Sequence, residues 1–420
     1  MINYNTRGAS LKRGLLNFSN KITKKLTKPM QKFVTDMIYG IIASKSCKLS
    51  EIGKELKENI ALKKVSERLG RNLKNFADSE ILTENYLDAI GPSIGKNTML
   101  LIDPSDVVKP SSPKMEAIGT VYDASEQTYG QGYWTIGVVA LTENHGQPIP
   151  VYEKLYPCTK QGGNGQKAEM SLALEHLRKH FAKDIPRIID RGFDSGDVLE
   201  DLTSNNENFI IRVNQDRIAV HNGKRTRIND VVKGLVCTHE FSYKNKTDQK
   251  SNCKIGMTQV ILPNLGNMTL NLVVCKGLDD TLVLYTNLDE TVENIAVRVV
   301  KAYLMRWRIE EFYEFKKRCF GFEDFRVRSL KAIQNLDILL TFAAGYIAVL
   351  SEKIDEELYI IDLLVLSGCL QRPFVFIKKK KFFLYAVLDG VTRLLASLKC
   401  AVFNFFKPKP LNNQLSLFDL

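Results

Sequence analysis

The chain has 420 residues, 44% hydrophobic and 25% charged, which is enough apolar material for two or three folded domains. A formal net charge of +12 and a pI near 9.1 argue for a polyanionic partner, nucleic acid ahead of an anionic membrane surface, with a merely solvated basic face as the plain alternative. Eight scattered cysteines with no C-x-x-C pair exclude a zinc signature and a disulfide framework and fit a reducing cytosol, while the longest apolar stretch, 336–350, carries Asp337 and is too short to span a bilayer.

No apolar signal segment opens the chain, and the first 35 residues carry eight Lys or Arg and no Asp or Glu. Residues 1–28 are therefore expected to be a mobile basic arm. From Met30 to about Gly91 the period is helical: Val34, Ile38, Ile41 and Ile42 share a face, Ser50 is a good N-cap, and 64–76 carries Arg68, Arg71 and Lys74 on one side. Residues 29–95 are read as a helical DNA-binding domain of helix-turn-helix character, against a plain helical bundle.

From Thr98 the period changes to strands, at Met99 to Ile102, Ile118 to Tyr122, Tyr133 to Leu141 and, after the turn Asn144-His-Gly146, Ile149 to Leu155. A helix follows at Gln166 to Phe181, then a strand from Pro186 ending at Asp190, then helix at 198–204. Residues 209–286 read as β-rich, with strands at 209–213, 257–262, 269–275 and 282–286, and helices resume near Thr291 and continue to about 400. The residues from Lys407-Pro-Lys-Pro410 onward are expected to be a mobile tail.

Two apolar strands end in an acid, Leu-Ile-Asp103 and Ile-Ile-Asp190. Strand ends in α/β domains are where active sites collect, and a pair of such carboxylates suits a hard divalent ion whose other ligands come from phosphate. A third acid lies in Tyr303-Leu-Met-Arg-Trp-Arg-Ile-Glu310. At 100° per residue from Tyr303, Arg306, Glu310 and Lys317 fall near −60°, −20° and −40°, while Leu304, Met305, Ile309, Phe312 and Phe315 fall between about 100° and 240°. One helix is thus expected to bury one face and present Tyr, Arg, Glu and Lys on the other; a surface helix laced with pairs such as Arg306–Glu310 has the same pattern.

The spacing Tyr303-x₂-Arg306-x₃-Glu310-x₆-Lys317 resembles the Y-R-E-K signature of DDE transposases from bacterial insertion sequences, nearest to the cut-and-paste group that excises its element through DNA hairpins. Asp190-Arg-Gly-Phe-Asp-Ser195 is similar to that group's second-aspartate motif, and Phe209-Ile-Ile-Arg-Val213 and Leu284-Tyr-Thr-Asn-Leu288 to the flanks of its β-rich insertion. The likeness runs from about 30 to 345. It implies a ribonuclease-H-like α/β core over 96–345 with the β-rich insertion at 209–286, preceded by the helical domain and followed by a C-terminal helical region at 346–406 and the tail at 407–420. It further implies that Asp103, Asp190 and Glu310 are the catalytic, metal-binding triad for two Mg²⁺ (or Mn²⁺) ions ~3.5–4 Å apart, serving an endonuclease and strand-transfer reaction without a covalent enzyme–DNA bond. Tyr303, Arg306 and Lys317 would hold backbone phosphates of double-stranded DNA, both transposon ends and target, in a homodimeric complex at the bacterial cytoplasmic nucleoid. An aromatic in the insertion would stack on a flipped base; neither Trp134 nor Trp307 lies there, leaving Phe241, Tyr243 and Tyr285. A nuclease without strand transfer and a non-catalytic DNA-binding protein are the other readings of this scaffold.

Lesser signals are weighed beside these. Asp106 and Asp194 read as supporting or capping groups, and Glu311 points about 100° away from Glu310. His176 and His180 have metal-ligand spacing but no third ligand, so surface positions are expected. Gly162-Gly-Asn-Gly165-Gln-Lys167 lacks the ending of a phosphate loop, and no nucleotide cofactor is expected. Gln414-Leu-Ser-Leu-Phe418 resembles the peptide by which bacterial replication and repair proteins dock on the polymerase sliding clamp, with Gln414, Leu415, Leu417 and Phe418 as the contacts.

Overall fold

The computed structural model describes residues 4–95, 97–112, 114–123, 126–142, 146–244, 250–353 and 383–397. Five helices come first: α1 (Tyr4–Ile22), α2 (Lys28–Ser44), α3 (Leu49–Leu56), α4 (Leu62–Asn75) and α5 (Ser79–Ile90). The expected mobile arm is instead largely helix α1. Leu11, Leu15 and Ile22 are buried, and the Phe18 ring lies 5.1 Å from that of Tyr346. Apolar residues at helical spacing gave α1 a face to dock, which its positive charge had masked. Helix α2 is buried along its run from Phe33 to Ala43, beyond the single apolar face of Val34, Ile38, Ile41 and Ile42, and its buried Asp36 is paired with Lys32. In α4, Val65, Leu69 and Leu73 face inward and Arg71 and Lys74 outward. Arg68 differs from expectation: its guanidinium grips Glu58 at 2.7 and 2.9 Å, so it braces the bundle instead of joining an exposed basic face.

The sheet is mixed and has twelve strands. Its first half comprises β1 (Met99–Val108), β2 (Gly119–Asp123), β3 (Thr128–Leu141), β4 (Pro148–Tyr156), β5 (Arg187–Ile189) and β6 (Phe209–Arg212), with helices α6 (Gln166–His180) and α7 (Gly196–Ser204) between strands. The lateral order is β4-β3-β1-β5-β6, with β2 on the outer part of β3; β3 is antiparallel to β1, β2 and β4, whereas β5 is parallel to β1 and β6. The second half holds β7 (Ile218–His221), β8 (Lys224–Arg227), α8 (Ile228–Gly234), β9 (His239–Lys244), β10 (Lys250–Leu262), β11 (Met268–Lys276) and β12 (Leu282–Thr286). These strands do not form a detached module: β12 pairs antiparallel with β6, so the β-rich stretch extends the same sheet.

After the sheet come α9 (Ile295–Leu304), α10 (Trp307–Phe320), α11 (Leu330–Glu352) and α12 (Leu384–Ser397). Ser329 caps α11 by accepting from the Ala332 N–H at 3.4 Å. This helix is longer than the apolar stretch foreseen and is long and apolar enough to cross a membrane, yet 83% of its apolar window is buried inside the protein. It packs on α2, α4 and α5 on one side and β4 on the other, and so crosses the boundary expected at 345 and fuses the helical region to the sheet. Tyr86 stacks on Phe342 with centroids 4.0 Å apart, and a Cβ at Gly345 would come within 2.0 Å of the Tyr86 hydroxyl. Asn335 donates to the carbonyls of Leu73 and Phe76 at 2.7 and 3.0 Å, tying down the end of α4. The expected tail at 407–420 and most of the expected region 346–406 lie outside the described residues.

Candidate active site

The parallel ladder between β1 and β5 runs in register, Leu100 with Arg187, Leu101 with Ile188, Ile102 with Ile189, and then stops. The next residue on each strand is an aspartate, so Asp103 and Asp190 come side by side at the strand spacing of ~4.8 Å. Strand β1 itself does not end there, contrary to the short strand read from sequence; it continues to Val108 against β3. Asp103 thereby keeps a strand conformation and is nearly buried, while Asp190 opens into a tight turn, Arg191–Phe193, and is more exposed.

The segment carrying the third acid is not one helix. Helix α9 ends at Leu304 and α10 begins at Trp307, with Met305 and Arg306 forming the joint. Ile309, Phe312 and Phe315 are buried as the periodicity requires. Arg306, at the joint, reaches all three acids: Nη1 lies 3.1 Å from Asp103 Oδ1, Nε 3.7 Å from Asp190 Oδ1 and Nη2 2.6 Å from Glu310 Oε1. The Tyr303 hydroxyl donates to Asp190 Oδ1 at 3.0 Å. Three carboxylates from three elements thus meet around one guanidinium, and Glu311 turns aside to Arg308 at 2.9 Å.

The electrostatics separate the two aspartates. Burial pushes the Asp103 carboxyl up to about 7; Arg306 opposes this, and Asp190 and Glu310 add repulsion. For Asp190, burial also raises, but the Arg306 charge and donors from the Arg191 and Gly192 N–H groups and the Tyr303 hydroxyl outweigh it, leaving the group below its ordinary value. Burial works against the Arg306 charge, but the surrounding acids more than compensate.

Among the described residues, no three His, Cys, Asp or Glu side chains are arranged as a ready metal cage. The donor set nevertheless fits a hard divalent ion in kind, because it consists of carboxylate oxygens gathered on one cation, the role Arg306 fills in this structure.

Other residues singled out from sequence fall elsewhere. Lys317 is turned away from the triad and pairs with Asp106 at 2.9 Å and Glu323 at 3.1 Å. Asp194 receives Arg217 at 2.6 Å and the Asn214 N–H at 2.7 Å, bracing the loop after β6. Tyr285 is fully buried in β12 and cannot stack on a base, whereas Phe241 and Tyr243 are half-buried on β9. His176 and His180 are half-buried, their rings 4.6 Å apart, and not the surface residues expected. Gln414, Leu415, Leu417 and Phe418 lie outside the described residues. The six described cysteines are free thiols.

Three features escaped the sequence. The Tyr313 hydroxyl donates to the Asp103 carbonyl at 2.6 Å; its angle from Tyr303, about −80°, lay at the edge of the polar stripe and was a usable signal. Lys316 is wholly buried, bonded to Glu153 at 2.5 Å and to Asp337 and Thr341 at 2.9 Å. A groove of about 600 Å³ beside Lys317 gathers Lys48, Lys109, Lys114, Arg326 and Arg328 against Glu323 and Asp324; those cations come from three separate segments and formed no run.

Residues 95–345, more than half of the chain, match the family model described as Transposase DDE domain. Among solved structures, a cryo-EM structure of the piggyBac transposase synaptic complex with hairpin DNA is similar at a TM-score of 0.45 and 9% identity, covering 98% of this chain and 87% of that chain.

Proposed function

This chain belongs to the transposase DDE domain family, and on that premise we propose that it is a DNA transposase of the insertion-sequence, cut-and-paste type with the Y-R-E-K signature, acting on nucleoid DNA in a bacterial cytoplasm. The observation that carries this reading is the convergence of Asp103, Asp190 and Glu310 on the Arg306 guanidinium. The order β4-β3-β1-β5-β6, with one acid on β1 and one following β5, supports a ribonuclease-H-like core.

Asp103, Asp190 and Glu310 would hold two Mg²⁺ or Mn²⁺ ions, which when bound would stabilise the attacking and leaving oxygens of an in-line displacement at phosphorus. The chain's own residues prepare that chemistry. Buried β1 and β5 hold the two aspartates rigidly, so little reorganisation is needed as charge develops. Tyr303 orients the Asp190 carboxylate, and Arg306 lies where a planar fork can exchange a carboxylate for a phosphate oxygen. Lys317, tied to Asp106 on β1, would sit one turn further along the backbone path, beside the cationic groove of Lys48, Lys114, Arg326 and Arg328. Water attack nicks a strand; the freed 3′-hydroxyl attacks the other strand, closing a hairpin on the element's end and releasing the flanking DNA. A second water reopens the hairpin, and, as a homodimer brings two ends together, the regenerated 3′-hydroxyls attack the target, displacing a target 3′-oxygen.

The test is a supercoiled plasmid carrying the element's ends. Cleavage and strand transfer are expected with Mg²⁺ or Mn²⁺ and are lost with a chelator. Nicking without joining would favour the nuclease reading; unchanged cleavage in the chelator would remove the metal from the mechanism.

The Gln414, Leu415, Leu417 and Phe418 segment is proposed as a docking peptide for the sliding clamp, its apolar side chains filling pockets on that ring. Deleting 414–420 should abolish clamp pull-down while leaving plasmid cleavage intact; equal recovery of clamp by the shortened protein would end that idea.

A further inference from the structure

We propose that Tyr313 is a positioning residue that locks helix α10 to strand β1 and thereby sets the distance between Glu310 and Asp103, and that Gly137 is the space this lock requires. The inference rests on the DDE reading of the site.

Glu310 and Asp103 come from elements that do not share a backbone ladder, so their spacing depends on side chains that join helix to sheet. Tyr313 lies three residues after Glu310, on an adjacent part of the same helix surface. Its ring is nearly buried, and its hydroxyl donates 2.6 Å to the backbone carbonyl of Asp103 itself, not to a neighbouring residue. The bond therefore joins the residue bearing one acid to the helical turn bearing another. Burial, with repulsion from nearby carboxylates, holds the phenol well above its ordinary titration range, so it stays a donor.

The strand register explains the room for it. Asp103 lies opposite Gly137 on β3. A Cβ built there would come 2.5 Å from the Tyr313 hydroxyl oxygen but 3.2 and 3.3 Å from the nearest ring carbons. The oxygen makes the severe contact, while the ring carbons would have to give by only a few tenths of an ångström. Any β-carbon at 137 would push α10 off β1 or break the hydrogen bond.

A double-mutant cycle on the full chain tests this. Tyr313→Phe should slow plasmid cleavage about 10-fold, as expected for one buried hydrogen bond, and raise the apparent Mn²⁺ dissociation constant, measured on DNA-free protein by electron paramagnetic resonance, by a similar factor. Duplex binding and the melting temperature should change little. Gly137→Ala should be about 100-fold slower, and adding Tyr313→Phe to it should recover activity, because the hydroxyl that collides is gone. Wild-type-like Mn²⁺ affinity in Tyr313→Phe, or Gly137→Ala losses unchanged by the second substitution, would overturn the lock. Loss of activity only in proportion to lowered melting would assign Tyr313 to packing instead. Wild-type protein that neither binds Mn²⁺ nor cleaves would refute the underlying reading of the site, a result distinct from all of these.

Discussion

Glu310→Gln is expected to lower cleavage and strand transfer by roughly 10³-fold while leaving protein stability and duplex binding intact, a barrier increase of about 4 kcal/mol. The size follows from the position of the carboxylate. Glu310 is the acid that α10 delivers to the Arg306 guanidinium, and its charge is the one feature the amide lacks, since Gln preserves shape and can still face Arg306 across the 2.6 Å contact. The side chain is almost half exposed, at 46%, so its ion pair contributes little to folding and a dead variant cannot be blamed on collapse. Measured beside the wild type on the same supercoiled plasmid, equal rates would take Glu310 out of the mechanism. Loss of duplex binding together with cleavage would make it a structural partner of Arg306.

The largest stability effect should come from Lys316→Met, about 3–5 kcal/mol, because it strips the cation from a buried cluster. Lys316 faces Glu153 on β4 and Asp337 on α11, and none of the three is appreciably exposed. Two carboxylates share one ammonium. Burial and repulsion from Asp337 push Glu153 up to about 7 even with Lys316 present. The sign for the variant follows directly. A carboxyl raised in the folded state binds more protons there than in the unfolded chain, so stability falls as pH rises from the ordinary carboxylate range through the raised value. Removing Lys316 removes the opposing attraction. The deficit against wild type should therefore be smallest near pH 5 and grow toward pH 8. Thermal unfolding of both proteins across that range reads it, and a deficit that is flat or shrinks with pH would mean the carboxylates find another cation.

Lys316 and Lys317 are neighbours with different fates. Lys317 keeps partial exposure and two acidic partners, one of which, Glu323, lines the groove, whereas Lys316 is an internal strut. On the helical wheel Lys316 falls near 220°, among the apolar residues, which would ordinarily argue against lysine there. Its partners explain the exception, but they are distant in sequence, Glu153 163 residues away and Asp337 21.

Much of the site was legible along the chain because its signals are local. Apolar runs that end at Asp103 and Asp190 mark strands leaving a core, and the alternation from Ile309 to Phe315 marks a helix with one buried face. These patterns depend only on backbone periods of two and 3.6 residues, which tertiary context seldom overturns in long elements. The same local reasoning failed where docking mattered. The basic composition of 1–28 suggested a free arm, but the burial of Leu11, Leu15 and Ile22 made Tyr4–Ile22 a helix of the core.

The sequence by itself determined the α/β character and the succession of strands and helices, and marked Asp103, Asp190 and Glu310 as candidate acids. Only the tertiary structure decided that Asp103 and Asp190 are neighbours on parallel strands, that a joint at Met305 and Arg306 carries a guanidinium to all three acids, and that Tyr313 and Lys316 fasten α10 to the sheet. The physical reason is that these outcomes, the Arg306–Glu310 pair four residues apart excepted, depend on register and on contacts between residues 21 to 210 positions apart, chosen by burial and charge pairing across the whole fold, and periodicity carries no information at that range.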